Sequence, residues 1–335
     1  MKRGLRYCDD NRPGITRRKM RHGWGYWDAD GKRITDRDEI DRLNAVGLPP
    51  AYTDAWYCPH PNGHLQATGT DDRGRKQYRY HPEFRAAQEA AKYDRCARFG
   101  HLLPKLRARI EADLRKRSLS RERAVAAVVR LLDRGHVRVG NEGYAQANKS
   151  FGATTLRKRH AKLDGGRLKL QYRAKSGQLR TLTLTDNSLR NFVKRCQDLP
   201  GQQLFGWLDE EGEAHPVTST DVNDYIREAM GDDFTAKHFR TWGASVIAFE
   251  ALAEAEDHIG LNTMLEPVTQ ALGNTPAIAR KSYVHPHLIA LAKDREAQAA
   301  FRETLALPRG ARHLSRAERG LIAFLESAGV SAKAA

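Results

Sequence analysis

The chain has 335 residues, 40% of them hydrophobic, which allows two domains with sizeable cores and argues against global disorder. Lys and Arg exceed Asp and Glu by 57 to 41, for a net charge of +16. This excess indicates a polyanionic partner, either nucleic acid or an acidic membrane surface. No apolar run approaches the roughly 18 residues of a membrane span, and no secretory signal follows the basic N-terminus. We therefore expect a cytoplasmic protein with no membrane partner.

The N-terminal region reads as a basic arm followed by short strands. Residues 1–22 are polar and basic, and we expect a solvated arm that contacts phosphates in a DNA-binding protein. The stretches 24–27 and 32–35 flank a turn and predict a hairpin, and Asp36 is placed to cap a short helix. The remaining predicted strands of this region are 55–58, 64–68 and 75–80.

The strand at residues 75–80 carries the clearest binding signal of this region. Tyr78 and Tyr80 share one face, Gln77 lies on the other, and Arg75 and Lys76 lead into the strand. Interleaved aromatic and basic residues on an exposed strand suit a surface that faces a DNA groove. An ordinary half-buried strand is the alternative interpretation.

From Pro82 the pattern changes to helical spacing, and we place a domain boundary near residue 85. This predicts a small antiparallel β-rich domain at 1–85 and a larger, mainly helical domain at 86–335, an α+β fold. Three short strands, around 159–163, 167–173 and 178–184, predict a small sheet, with Lys175 at a hairpin tip. The predicted helices are 83–99, 102–117, 121–134, 186–198, 218–230, 235–253, 287–304 and 314–328.

Two further patterns concern possible ligands. The stretch 138–175 contains ten Lys or Arg residues against two acidic ones, which places a polyanion there. Cys58, His60 and His64 suggest a metal site, but the prolines and glycine among them are typical of a turn between strands, so we predict no metal. The sequence has no Walker motif and no G-x-G-x-x-G, and we predict no cofactor. Four scattered cysteines are expected to be reduced thiols.

Near the C-terminal end, the stretch 273–283 predicts a short helix that ends at a tyrosine. Thr275 is a suitable N-cap, Pro276 fits the first helical position, and Ile278 is expected to face inward. Tyr283 then lies about two turns from the helix start, just before His285-Pro286. Taken alone, such a tyrosine is more often a half-buried aromatic than a nucleophile.

Several blocks together resemble the type IB DNA topoisomerases, in particular the short poxvirus-like bacterial branch. Residues 69–85 resemble the G-x-x-x-x-G-R-K-Q-Y-x-Y-H-P block of the family's N-terminal domain. Residues 137–150 resemble the block around its first catalytic arginine. Five residues follow the order of the family's active site: Arg138, Lys175, Arg240, Asn274 and Tyr283. They supply two arginines, a lysine, a hydrogen-bonding residue and a tyrosine.

The resemblance implies a C-shaped clamp on double-stranded DNA, acting as a monomer on the bacterial nucleoid. It implies relaxation of positive and negative supercoils through a 3′-phosphotyrosyl intermediate, without ATP or metal. Tyr283 would be the nucleophile, Arg138 and Arg240 would hold the phosphate, and Lys175 would protonate the leaving 5′-oxygen. The residues expected to contact DNA by the same resemblance are Gln77, Tyr78, Tyr80, Tyr144, Lys237, Arg75 and Lys76.

Asn274 departs from the family pattern, because poxvirus enzymes and tyrosine recombinases usually carry histidine nine residues before the tyrosine. A neutral amide still donates one hydrogen bond, but a weaker one than a charged imidazole. A tyrosine recombinase is the nearest alternative; that family usually has histidine at the position of Lys237. A DNA-binding protein with a decayed catalytic site is the alternative from another class.

Overall fold

A computed structural model describes residues 4–72 and 74–334, apart from the side chains of residues 89–92, 144 and 329–334. The chain divides into two compact units, Met1–Asp94 and Arg95–Ala335, each with its own hydrophobic core. The mixed α/β class expected from the sequence is confirmed. We placed the domain boundary near residue 85, at the start of the helix Pro82–Asp94 (α2); the two units divide at its end. The clamp stays a prediction.

The first unit is built on an antiparallel sheet with one capping helix. Its strands are Ile15–Lys19 (β1), Trp24–Trp27 (β2), Thr53–Tyr57 (β3), Leu65–Thr70 (β4) and Lys76–Tyr80 (β5). They lie in the order β2-β1-β3-β4-β5, so β5 forms one edge of the sheet. The helix Arg37–Ala45 (α1) begins after Asp36, whose carboxylate accepts from the Asp38 N–H as the sequence led us to expect.

Two expectations for this unit were wrong. Part of the predicted solvated arm is β1, and its Arg17 guanidinium lies 4.2 Å from the Trp24 ring centroid and donates to the Leu48 carbonyl at 2.8 Å. Backbone carbonyls accept hydrogen bonds from such an arginine, and an aromatic ring packs against its charge. The arginine can therefore lie in a strand instead of a solvated arm. The predicted strand 32–35 is reduced to a bridge between Trp27 and Arg33, although the Ile34 N–H still donates to the Tyr26 carbonyl at 2.9 Å across the predicted hairpin.

The second unit packs its helices around one large core. The helices Cys96–Arg115 (α3) and Arg121–Gly135 (α4) pack against each other and supply much of this core. The remaining helices of this unit are Glu142–Asn148 (α5), Asn187–Cys196 (α6), Ser219–Met230 (α7), Ala236–Ala253 (α8), Leu261–Leu272 (α9), Pro276–Ser282 (α10), Pro286–Leu291 (α11), Arg295–Thr304 (α12) and Arg316–Ala334 (α13).

The helix boundaries differ from the predicted ones in places that tertiary contacts explain. We expected a break near Gly100, but Gly100 lies inside α3, where a side chain would collide with the Trp242 ring. The predicted helix 287–304 is two helices, because the Asp294 carboxylate accepts from the Ala297 N–H and starts α12. The helices α5 and α9 were not predicted.

Two small sheets complete the second unit. A hairpin joins Gly206–Leu208 (β9) to Ala214–Pro216 (β10) and was not predicted. The strands Ala161–Asp164 (β6), Arg167–Arg173 (β7) and Leu179–Leu184 (β8) form the predicted three-stranded antiparallel sheet. Within the described ranges, no helix is both long enough and apolar enough to cross a membrane.

Candidate active site

Arg138 lies in an extended segment that follows α4. α4 ends at Gly135, and His136 caps it in the left-handed conformation with φ 50. The Arg138 carbonyl accepts from the Ala153 N–H at 2.8 Å, so its backbone is held against the loop after α5. The half-buried side chain is thereby directed toward α9 and α10, where it contacts Asn274.

Arg240 lies in the second turn of α8 and is only 4% exposed. Its guanidinium donates to the His136 carbonyl through Nη1 and to the Leu272 carbonyl through Nη2, the latter at 3.2 Å. Burial, and then the charge of Arg138, lowers the Arg240 pKa below its usual 12.5. A guanidinium stays protonated at neutral pH in spite of such a shift. The fold therefore fixes a buried positive charge at this point.

Asn274 joins the two arginines. Its Oδ1 accepts from Arg138 Nη2 at 3.2 Å and from Arg240 Nη2 at 3.1 Å. Two cationic donors fix the amide orientation, because the NH₂ group cannot face them. Asn274 Nδ2 is buried and has no hydrogen-bond partner in the part of the chain that the structure describes. A buried donor of this kind is suited to an acceptor supplied by a ligand.

Tyr283 caps the C-terminal end of α10, and its N–H donates to the Ala279 carbonyl at 3.0 Å. Thr275 caps the start of this helix, with Pro276 at its first position, as predicted; Ile278 is 48% exposed and does not face inward. The half-buried ring of Tyr283 has the Arg240 guanidinium carbon 4.7 Å from its centroid.

The electrostatic surroundings of the Tyr283 phenol favour its ionised form. Burial raises the Tyr283 pKa, but the charges and hydrogen bonds of Arg240, and then of Arg138, outweigh burial and hold it below the usual 10. A phenol with a lowered pKa is a better nucleophile at neutral pH. The site therefore brings a tyrosine, two guanidiniums and an amide together.

Lys175 lies at the tip of the β7–β8 hairpin, as the sequence predicted, and is exposed. No hydrogen bond or ion pair among the described residues joins it to Arg138, Arg240, Asn274 or Tyr283. The structure thus brings four of the five predicted catalytic residues together and leaves Lys175 on the exposed turn between β7 and β8.

Sequence reasoning missed Arg180, which lies on β8 five residues after Lys175. Its Nη1 donates to the Gln270 carbonyl at 3.0 Å, and its Nη2 donates to the Ala271 carbonyl. Arg180 also lines one cavity with Arg138 and Arg240. In a stretch so rich in basic residues, no sequence signal distinguishes this arginine from its solvated neighbours.

The predicted DNA-contacting residues of the first unit lie on edge strand β5. Tyr78 and Tyr80 are 48% and 45% exposed, and their stacked rings lie 6.1 Å apart. Gln77 donates its amide to Asp71 Oδ2 at 3.0 Å, and Arg75 pairs with the same carboxylate at 2.6 Å. These two side chains are therefore oriented by a buried acid rather than free in solvent.

Three other predicted contacts have different surroundings. Lys76 Nζ lies 2.7 Å from Asp10 Oδ2, so its charge is already paired. Lys237 is exposed in the first turn of α8, and the side chain of Tyr144 lies outside the described part of the structure. Across residues 4–72 and 74–334, no group of three or more His, Cys, Asp or Glu side chains is arranged to hold a metal ion.

Comparison with known proteins decides the family. The model of the eukaryotic DNA topoisomerase I catalytic core matches residues 81–294, more than half of the chain. The chain belongs to the type IB DNA topoisomerases. The N-terminal domain model of bacterial DNA topoisomerase IB matches residues 23–71. The chain is also 33% identical, over 292 residues, to the DNA topoisomerase 1B of Acanthamoeba polyphaga mimivirus, covering 83% of this chain and 87% of the viral one.

As a member of this family, the topoisomerase is an isomerase that relaxes DNA supercoils by transient cleavage and religation of one strand. Among solved structures, it is similar to two DNA-bound complexes of the XerH site-specific recombinase, at 16% identity and TM-scores of 0.36 and 0.37. These matches cover 54% and 59% of this chain and about half of each recombinase chain, 49% and 51%. A likeness this distant does not bear on the function.

Proposed function

We propose that Tyr283 is the nucleophile of this topoisomerase and that Arg138, Arg240 and Asn274 stabilise the phosphate it attacks. The observation that supports this assignment is the meeting of both guanidiniums at Asn274 Oδ1, with Arg240 also over the Tyr283 ring. Two cations this close repel each other, and an anion between them removes the repulsion. A DNA phosphate fits, because guanidiniums bind phosphate oxygens in a planar, two-point geometry.

In the proposed reaction, the Tyr283 hydroxyl attacks the phosphorus in line with the departing 5′-oxygen. The new phosphotyrosyl bond forms as the bond from phosphorus to the 5′-oxygen breaks, which leaves a 3′-phosphotyrosine and a free 5′-hydroxyl. Negative charge grows on the non-bridging oxygens, so the fixed charges of Arg138 and Arg240 lower the barrier. The reverse attack by the 5′-hydroxyl reseals the strand, and because one ester replaces another, no ATP is consumed.

Asn274 and Lys175 have the two remaining roles in the proposed reaction, a hydrogen bond to the phosphate and protonation of the departing oxygen. Asn274 Nδ2, a buried donor facing away from both guanidiniums, donates to one non-bridging oxygen. Lys175 gives a proton to the departing 5′-oxygen after the exposed hairpin tip closes on bound DNA. The exposed position of Lys175 is compatible with this role, since hairpin tips move more readily than the strands that carry them.

The substrate that we propose is double-stranded DNA, contacted by the first unit through Tyr78, Tyr80 and Gln77 of β5. Exposed stacked tyrosines and an oriented amide suit base edges in a groove. Lys76, Arg75, Lys237 and Tyr144 would add contacts to the phosphates. We also propose that the protein acts as a monomer in the cytoplasm; sedimentation with and without a short duplex tests the monomer.

Relaxation of a supercoiled plasmid tests the proposal directly. In EDTA without ATP, we expect the wild type to relax positively and negatively supercoiled plasmid, and Tyr283→Phe to relax neither. Denaturation during the reaction should trap the wild-type protein on a 3′ end. Relaxation by Tyr283→Phe, or a covalent link at a 5′ end, would falsify the assignment. Recombination between two defined sites would instead support the recombinase alternative.

A further inference from the structure

Two thiols that the proposed reaction does not use lie side by side in the first unit. The Cys58 thiol donates to Cys8 Sγ at 3.0 Å, although the two cysteines are fifty residues apart. A Cβ on Gly63 would lie 2.9 Å from Cys8 Sγ and still closer to Cys58 Sγ, so only glycine leaves room for both sulfurs. The backbone on either side is fixed, since the Arg6 N–H donates to the Asn62 carbonyl at 2.8 Å.

We propose that Cys8 and Cys58 are a redox modification site that closes to an intramolecular disulfide with a low-molecular-weight disulfide as oxidant. Cys8 is partly exposed and Cys58 is buried, which sets the order of the two steps. The Cys8 thiolate first displaces one thiolate from the oxidant and forms a mixed disulfide. The Cys58 thiolate then attacks Cys8 Sγ and releases the second. The two cysteines lose two electrons and two protons, and two molecules of reduced small thiol leave.

The disulfide would change DNA binding through Asp10, two residues after Cys8. The Asp10 carboxylate pairs with Lys76 at 2.7 Å, on the strand that we propose to contact DNA. Fixing the chain at Cys8 keeps this carboxylate close to the lysine and so disfavours its exchange for a DNA phosphate. This second step rests on the proposed function of Lys76, whereas formation of the disulfide does not.

Incubation of the native full chain with oxidised glutathione tests the disulfide. We expect two of the four thiols to disappear, with a mass loss of about 2 Da and a peptide linking residues 8 and 58. Because burial raises the Cys8 pKa to about 11, the reaction should accelerate with rising pH. The Cys8→Ser variant should keep all its remaining thiols reduced. In the Cys58→Ser variant the reaction should stop at the mixed disulfide between Cys8 and glutathione. A stable adduct on the wild type, or dimers linked through Cys8, would overturn the proposal.

Duplex binding by the reduced and oxidised proteins tests the consequence. We expect oxidised wild type to bind a short duplex several-fold more weakly, with a log–log salt slope lower by about 1. Asp10→Asn should bind equally in both states, because its side chain no longer holds Lys76. Equal affinities for the two wild-type states would refute the coupling to DNA. Plasmid relaxation by reduced wild type, run in parallel, shows that the topoisomerase function itself is intact.

A second inference, from different contacts, concerns Arg180. It donates to the carbonyls of Gln270 and Ala271 at the C-terminal end of α9. The next residues are Gly273, in the left-handed conformation with φ 62, and then Asn274. A Cβ on Gly273 would lie 2.8 Å from Arg180 Nη1, so the guanidinium fills the space that the glycine leaves.

We infer that Arg180 is a positioning residue that holds Asn274 against the two phosphate-binding arginines. Arg180 occupies two consecutive carbonyls and Arg240 the third, that of Leu272. The segment that leads into Asn274 is therefore fixed from both sides. Because Arg180 is the second residue of β8, next to the turn that carries Lys175, it also attaches the turn end of that hairpin to the site. This inference rests on the proposed catalytic role of Asn274.

A double-mutant cycle tests this role. We expect Arg180→Ala to slow single-turnover cleavage on the order of tenfold with unchanged duplex affinity, and Arg180→Lys to recover part of the rate. In an Asn274→Ala background, the same Arg180→Ala change should cost less than about threefold. If the two substitutions lower the cleavage rate by factors that multiply in the double variant, the inference is contradicted. It is also contradicted if Arg180→Ala lowers only the affinity for duplex DNA. Tyr283→Phe separates this outcome from failure of the proposed function, because it abolishes cleavage in every background.

Discussion

The Arg240 guanidinium lies 4.7 Å from the ring centroid of Tyr283, and the same side chain donates to Asn274 Oδ1 at 3.1 Å. One buried arginine thus contacts both the proposed nucleophile and the asparagine that we propose to donate to the phosphate. Since Arg240 is anchored by backbone carbonyls at His136 and Leu272, it needs little reorganisation when substrate binds. The site is therefore pre-organised around one side chain.

The first prediction concerns the ionisation of Tyr283. Its pKa is lowered, so the phenolate should appear below the usual pH of about 10 and be lost as pH falls through the lowered value. The ultraviolet difference between wild type and Tyr283→Phe measures this titration without relying on activity. Arg240→Ala should move the inflection to higher pH more than Arg138→Ala does, because Arg240 is the larger of the two influences. An inflection that neither substitution moves would contradict the electrostatic account.

The second prediction concerns substitution of Asn274. Asn274→Ala should slow cleavage moderately, by about tenfold, because one neutral hydrogen bond to the phosphate is lost. Asn274→Asp should be slower still, since a carboxylate at that position offsets the two guanidiniums and repels the phosphate. Single-turnover cleavage of a duplex with a preferred site measures both. A faster Asp variant, or an Ala variant as inactive as Tyr283→Phe, would show that Asn274 has another role.

The third prediction concerns Lys175. If this lysine protonates the departing oxygen, Lys175→Ala should lose on the order of a hundredfold or more in cleavage of ordinary DNA. A substrate with sulfur in place of the 5′-bridging oxygen should restore most of that loss, because a thiolate leaves without a proton. Arg138→Ala serves as the matched control, since it should not be restored by sulfur. Restoration of both variants, or of neither, would remove Lys175 from the role of general acid.

The fourth prediction concerns the stability of the second unit. Arg107 joins α3, α4 and α13 by pairing with Asp133 at 2.8 Å and Glu318 at 2.7 Å, and all three side chains are largely buried. Arg107→Met should lower the free energy of unfolding by about 3–5 kcal/mol, because two buried carboxylates lose their partner. Urea unfolding followed by helical circular dichroism measures this. Arg37→Met, which removes an exposed ion pair with Asp41, should be close to wild type.

The fifth prediction concerns acid sensitivity through Glu318. Burial raises the Glu318 pKa, but hydrogen bonding to Arg107 and its charge outweigh burial and hold the pKa below the usual 4.5. A carboxyl with a depressed folded-state pKa stabilises the fold above its unfolded pKa, and this contribution is lost as pH falls through the folded value. The free energy of unfolding, measured in urea, should therefore fall as the pH drops below about 5. Glu318→Gln should be less stable at neutral pH and show a weaker dependence over that range.

The sequence by itself determined many of the local elements and singled out the residues that we propose for the reaction. Cap residues such as Asp36 and Thr275 start helices where expected, since a side-chain oxygen bonding to a nearby N–H is a local interaction. The three-stranded sheet and the hairpin tip at Lys175 followed from alternation and turn residues. The order of the arginines, the lysine and the tyrosine indicated the family that the comparisons then confirmed.

Only the tertiary structure decided which charges are anchored and which stay free. Arg17 looked like part of a solvated basic arm and Arg180 was not singled out, but both donate to carbonyls of residues distant in sequence. Gly100 stays inside a helix because the ring of Trp242 occupies the space beside it. Cys8 and Cys58 meet across fifty residues. Such contacts depend on where the chain returns in space, and local patterns of propensity and charge carry no information about that.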